Sequence, residues 1–127
     1  SQATAKTRSL KLAQSATQEF RPQPKLKRLI SVLGLNAAAD VLGIDPSQLS
    51  RAGASTASIS PVLESRIIDV DYVINRALAV MWPDEVGPWL TSPEPLLGGS
   101  IPLNVLALSG AARVVQALDA RAAGAFA

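Results

Sequence analysis

The 127-residue chain contains no cysteine and no histidine. The first absence excludes disulfides and thiol nucleophiles, and the second excludes imidazole acid–base relays. Together they remove the commonest ligands of transition metals. No metal or other cofactor is therefore expected. Aromatic residues make up 4% of the chain and charged residues 17%, so a core has to be built from Ala, Val, Leu and Ile. Hydrophobic residues still amount to 48%, too many for a chain that is disordered throughout. The length suits one compact domain, or one domain with a tail. No apolar run approaches the roughly 20 residues that cross a bilayer, and no signal-peptide pattern follows Ser1. A membrane partner is not expected. The cysteine-free composition is compatible with a reducing cytoplasm, which is the expected location.

The formal net charge of +2 hides an asymmetry. Residues 1–28 carry Lys6, Arg8, Lys11, Arg21, Lys25, Lys27 and Arg28 against Glu19 alone, a local charge of +6. Residues 29–127 carry five arginines against nine acids, a charge of −4. A basic arm attracts polyanions, nucleic acid being the usual one, although it also serves as a solvated leader. If all seven cations met phosphates, the salt slope of binding would reach about −6. Lys25, Lys27 and Arg28 adjoin the first apolar segment and are the better candidates for phosphate contact. Arg21-Pro22-Gln23-Pro24 reads as an extended linker, which sets residues 1–25 apart as an arm.

Helical spacing dominates the rest. Leu26, Leu29, Ile30 and Leu33 lie on one face and Gly34 stops the run. Asn36 is placed to cap a second helix over Ala37–Leu42, which Gly43 ends. Asp45-Pro46 opens a third helix, to about Ala52. Gly53 to Ser60 reads as a loop. Ser60-Pro61 opens a long helix to about Met81 or Trp82, with a seam of Leu63, Ile67, Val70, Ile74, Ala77 and Met81. That seam fits either its own core or a second copy of the chain. Asp84–Leu90 reads as a short helix interrupted at Gly87-Pro88. Pro102–Leu108 and Gly110–Ala123 complete the pattern. No strand is expected, so the fold class is all-α. We expect a helix-turn-helix bundle over residues 26–60, joined by the long helix to a small C-terminal helical region within 61–127.

Ala39, Gly43, Ile44 and Leu49 have the spacing of a helix-turn-helix. A small residue sits where the helices touch, a glycine at the turn, and apolar residues beneath the second helix. Ser47, Gln48, Ser50 and Arg51 then face outward. Arg51 suits guanine or phosphate, Gln48 suits adenine, and the serines suit phosphate oxygens. An ordinary helical hairpin has the same pattern. One arginine on the reading helix implies modest affinity per protomer, which a homodimer on two half-sites would offset.

The C-terminal third is more specific. It reads Trp89-Leu90-Thr91-Ser92-Pro93-Glu94-Pro95-Leu96-Leu97-Gly98-Gly99, then Ile101-Pro102-Leu103 and Leu106. This resembles the toxin-binding domain of the Xre/MbcA/ParS antitoxins. Their pattern is a Trp-Leu pair, a Pro-rich loop with Leu-Gly-Gly, a Pro-Leu-x-x-Leu helix and a last helix ending near glycine. The likeness spans about residues 26–127, since those proteins place a helix-turn-helix upstream. The resemblance implies a RES-type toxin as partner, one that consumes NAD. It also implies inhibition by the antitoxin's C-terminal end over the NAD pocket, and repression of the shared operon at operator DNA. The corresponding residues here are Arg121, Gly124, Ala125, Phe126 and Ala127. Burying Phe126 in a partner would contribute roughly 1.5–3 kcal/mol, and Arg121 could pair with charged groups lining such a pocket.

Other residues suggest less. Trp82 and Trp89 read as core or hinge packing. Asp69 and Asp71 point in different directions on one helix and make a poor acid–base pair. Asp84-Glu85 complements a helix N-terminus. A non-enzymatic antitoxin, acting as a homodimer or in a larger complex with its toxin, is the leading expectation. The alternative is a stand-alone helix-turn-helix repressor whose C-terminal region only dimerises. A small hydrolase would require turnover that depends on an acid such as Asp69.

Overall fold

The computed structural model describes residues 22–54 and 59–124. Among the described residues seven α-helices follow one another: α1 Pro22–Leu33, α2 Leu35–Leu42, α3 Pro46–Ala54, α4 Pro61–Leu78, α5 Pro83–Leu90, α6 Pro102–Ser109 and α7 Ala112–Gly124. A 3-10 turn, Pro95–Leu97, lies between α5 and α6. Among the described residues the only β-type pairing is an isolated bridge, Glu94 with Ser100. The all-α expectation is borne out.

Several boundaries differ from the sequence reading, each for a local reason. Helix α1 begins at Pro22 rather than after Pro24. Prolines in the first helical turn forfeit only N–H groups that have no intrahelical partner, so the pair opens a helix instead of holding an extended linker. Lys25 consequently belongs to a helix that crosses the expected boundary between arm and body. Helix α2 starts at Leu35, directly after Gly34, and Asn36 lies within it rather than capping it. Ser60 caps α4 as expected, its Oγ accepting from the Leu63 N–H at 3.2 Å. Helix α4 ends at Leu78, not at Met81. Ala79 and Val80 tighten into i→i+3 bonds to the Arg76 and Ala77 carbonyls, and Pro83 holds Trp82 in an extended conformation, ψ 149°. Helix α5 runs unbroken through Gly87-Pro88. The bond that Pro88 forfeits is to the carbonyl of the exposed Asp84, in the first turn, where water can replace it. Gly110 closes α6 with φ 83°, so α7 starts at Ala112.

The long-helix seam resolves the choice left open by periodicity. Ile67, Val70, Val73, Ile74 and Ala77 are buried in the chain's own core, with Leu63 and Met81 at its margin. Leu26 and Leu29 of α1, Leu42 of α2, Leu49 of α3 and Leu118 of α7 join the same cluster. Helix α1 packs on α2, α3, α4 and α5, while α4 also touches α6 and α7. The described parts of the regions 26–60 and 61–127 thus share one core.

A polar clasp supplements this packing. The Asp71 carboxylate, with a side chain 13% exposed, accepts from Lys25 Nζ at 3.0 Å and from Arg28 at 2.9 Å. Arg28 also donates to Asn75 Oδ1 at 2.8 Å. Asp71 therefore fastens α1 to α4. Partial exposure of both cations keeps the contribution near 1 kcal/mol.

Candidate functional site

The C-terminal loop is organised by one carboxylate. Glu94 is 5% exposed, and it is the single buried polar or charged residue among those described. Its Oε2 accepts from the Trp89 indole N–H at 2.6 Å, and its Oε1 accepts from the Leu96 N–H at 3.0 Å. Its backbone accepts from Leu97 and Gly99, and donates to Ser100, all within 2.9–3.0 Å. Arg121 of α7 lies 3.9 Å from Oε2. The Pro-rich loop, α5 and α7 thereby converge on a single side chain. Trp89 is half-buried there, in line with a packing role. Gly98 ends the 3-10 turn at φ 66°, which explains why glycine follows Leu97 in this motif.

Around this loop the surface is apolar. Leu108 is 87% exposed, and Leu96 is exposed as well. Leu108 lines a groove of about 400 Å³ with residues that include Pro93, Gly99, Ile101, Val105 and Arg113. A second depression, about 260 Å³, lies between α2 and α6 and shares Ile101 and Asn104. Sequence reasoning missed Leu96 and Leu108, because each sits inside an apolar run that reads as core. Trp82 is a correction in the same sense. It is 75% exposed, since Pro83 turns the chain at the end of α4 before the indole can reach the core. Glu85, next to it, accepts from the Trp82 N–H at 2.9 Å, the helix-terminus role expected for that acid.

The helix-turn-helix residues are placed as follows. Ala39 and Leu49 are buried, and Ile44 packs at the margin of the core. Gly43 adopts φ 72°, and its N–H and that of Ile44 return to the Asp40 and Ala39 carbonyls. The Arg66 guanidinium of α4 covers this turn, donating to the Leu42 carbonyl at 2.8 Å. Ser47, Ser50 and Arg51 are exposed on α3, as is Lys27 on α1. Gln48 is exposed too, but its Oε1 accepts from the Asp45 N–H at 3.1 Å, one half of a capping box. Lys25 and Arg28 are joined to Asp71. The candidate phosphate ligands therefore fall into two groups, those facing solvent and those already paired. Arg121 and Gly124 lie in the last turn of α7, whereas Ala125, Phe126 and Ala127 lie outside the described residues, as do Lys6, Arg8, Lys11 and Arg21. No helix among the described residues is long and apolar enough to cross a membrane.

Fold and site define an all-helical protein whose last three helices surround a carboxylate-centred loop and present apolar side chains to solvent. Residues 77–124 match the family described as the antitoxin Xre/MbcA/ParS C-terminal toxin-binding domain. That part of the chain is similar to the toxin-binding domain of these antitoxins. The fold is similar to a chain in the crystal structure of the M. tuberculosis MbcT-MbcA toxin-antitoxin complex. The TM-score is 0.69 at 24% identity, covering 83% of this chain and 96% of that one. No curated protein matches the sequence.

Proposed function

We propose that the protein is a non-enzymatic antitoxin that neutralises a RES-type, NAD-consuming toxin by seating its C-terminal end in the toxin's active-site cleft. The observation that carries this reading is the coincidence of the matched toxin-binding segment, residues 77–124, with the exposed apolar side chains of Leu96 and Leu108. Large apolar groups left in solvent are the usual mark of a protein-binding surface. Helix α7 leads from that surface toward residues 125–127. Arg121, Gly124, Ala125, Phe126 and Ala127 are the residues assigned to the cleft, and Phe126 is the apolar anchor. The similarity to a chain of a toxin-antitoxin complex favours this over a stand-alone repressor whose C-terminal region only dimerises. The test is to follow NAD in mixtures of the toxin with the full chain or with a chain ended after Ala123. Loss of the anchor is expected to weaken inhibition about 10- to 100-fold. Equal inhibition by the two forms would sink the occlusion mechanism.

The same protein is proposed to bind its operator, as a homodimer or within the toxin complex, through α3. The exposed Ser47, Ser50 and Arg51 of α3 and the exposed Lys27 of α1 support that reading. Gln48 can reach a base only by leaving Asp45, and Lys25 and Arg28 reach phosphate only by sharing or leaving Asp71. Arg51→Ala is expected to weaken operator binding about tenfold in a mobility-shift titration. Unchanged binding would remove α3 as the reading helix. The cytoplasm, which holds both NAD and chromosomal DNA, is the compartment that this function requires.

A further inference from the structure

The inner part of α7 is anchored by burial of Val114, Ala117 and Leu118. No residue of α7 after Leu118 is buried. A helix end of this kind frays unless something other than apolar packing holds it. Two ion pairs do so here. Asp119 bonds to Arg76 of α4, and Arg121 lies 3.9 Å from the buried Glu94 of the loop. Two positions along a helix are separated by about 200° of rotation, so the pairs grip α7 from opposite sides. Arg121 in the last turn also complements the negative end of the helix dipole.

We infer that Asp119 and Arg121, through Arg76 and Glu94, are positioning residues that keep the outer end of α7 pre-formed and so fix the direction in which the chain leaves Gly124. This deepens the proposed function and rests on its premise that the C-terminal end inhibits the toxin. A pre-formed end removes an ordering cost from binding, because affinity falls in proportion to the fraction of molecules in the competent state. Arg121 is then held by its own chain before any toxin arrives.

The discriminating experiment exchanges the charges of the outer pair, since Asp119 is not among the residues assigned to the cleft. Arg76→Asp and Asp119→Arg are made singly and together in the full chain. Helicity of residues 119–124 is read from Cα chemical shifts in the free protein, and inhibition is read by toxin titration. Each single change is expected to lower the helicity and weaken inhibition about three- to fivefold. The double change, which restores an ion pair, should bring both readouts back toward the starting protein. Glu94→Gln, which can keep the acceptor for Trp89 but loses the charge facing Arg121 and the acceptor for the Leu96 N–H, should lower helicity as well. Unchanged helicity in the single variants would overturn the inference. So would unchanged inhibition in those variants, if ending the chain after Ala123 abolishes it. If that truncation is harmless, the occlusion reading itself fails and takes the positioning role with it.

Discussion

Replacing Gly87 by alanine is expected to lower the stability of the protein by about 2–3 kcal/mol, a fall in Tm on the order of 10 °C for a domain of this size. A Cβ built on Gly87 would stand 2.5 Å from the Val32 carbonyl oxygen. No real Cβ makes so close a contact with an oxygen, and the obstacle is backbone, which cannot rotate away as a side chain can. Relief requires α5 to move off α1. Helix α1 carries Leu26 and Leu29 into the core and also packs on α2, α3 and α4, so the displacement cannot stay local. Gly124→Ala is the matching control, because an added methyl there meets nothing within 4 Å. Thermal unfolding followed by circular dichroism measures both. A Gly87→Ala protein that melts with the parent would show that the α1–α5 approach is looser than the geometry requires.

Glu94→Ala should have an effect of similar size through different physics. The substitution removes the acceptor for the Trp89 indole N–H and the Leu96 N–H, leaving two donors facing a site that water hardly reaches. Each orphaned donor costs about 1–3 kcal/mol, so a loss of about 3 kcal/mol is expected. Glu94→Gln has one oxygen for two donors, so either the Trp89 indole N–H or the Leu96 N–H loses its acceptor, and an intermediate loss of about 1–2 kcal/mol is expected. Denaturant titration gives the free energies. With two tryptophans in the chain, a Trp82→Phe background isolates the emission of Trp89, which should shift to longer wavelength as the indole loses its partner and its shelter. If Glu94→Ala unfolds at the same denaturant concentration as the parent, Glu94 does not hold the loop together.

Helix existence was legible nearly throughout, because proline after Ser60 and after Asp45 marks helix starts, and apolar residues at three- and four-residue spacing mark the buried faces. That spacing puts Leu26 and Leu29 on one helical face and Ile67, Val70 and Ile74 on the long-helix seam, and all five are buried. By the same local logic Ala39 and Leu49 are expected to be buried and Gly43 to take the turn, and Ala39 and Leu49 are buried and Gly43 has φ 72°. The motif around Leu-Gly-Gly carries the resemblance to the family that residues 77–124 match. Exposure was less legible. Leu108 and Trp82 are as apolar as any core residue, and local pattern cannot say that the chain turns before they arrive at the core.

The sequence by itself determined the all-helical class, most helix limits to within a few residues, the buried stripe of the long helix and the antitoxin resemblance, all of which depend on interactions within a turn or two of chain. Only the tertiary structure decided that the long-helix seam closes on its own core, that Lys25 and Arg28 meet Asp71, that Gly87 admits the Val32 carbonyl, and that Glu94 joins Trp89 to Arg121. These are pairings across 5 to 55 positions of sequence. Most depend on how whole helices cross, and that is set by the simultaneous burial of side chains from every helix rather than by the preference of any one segment.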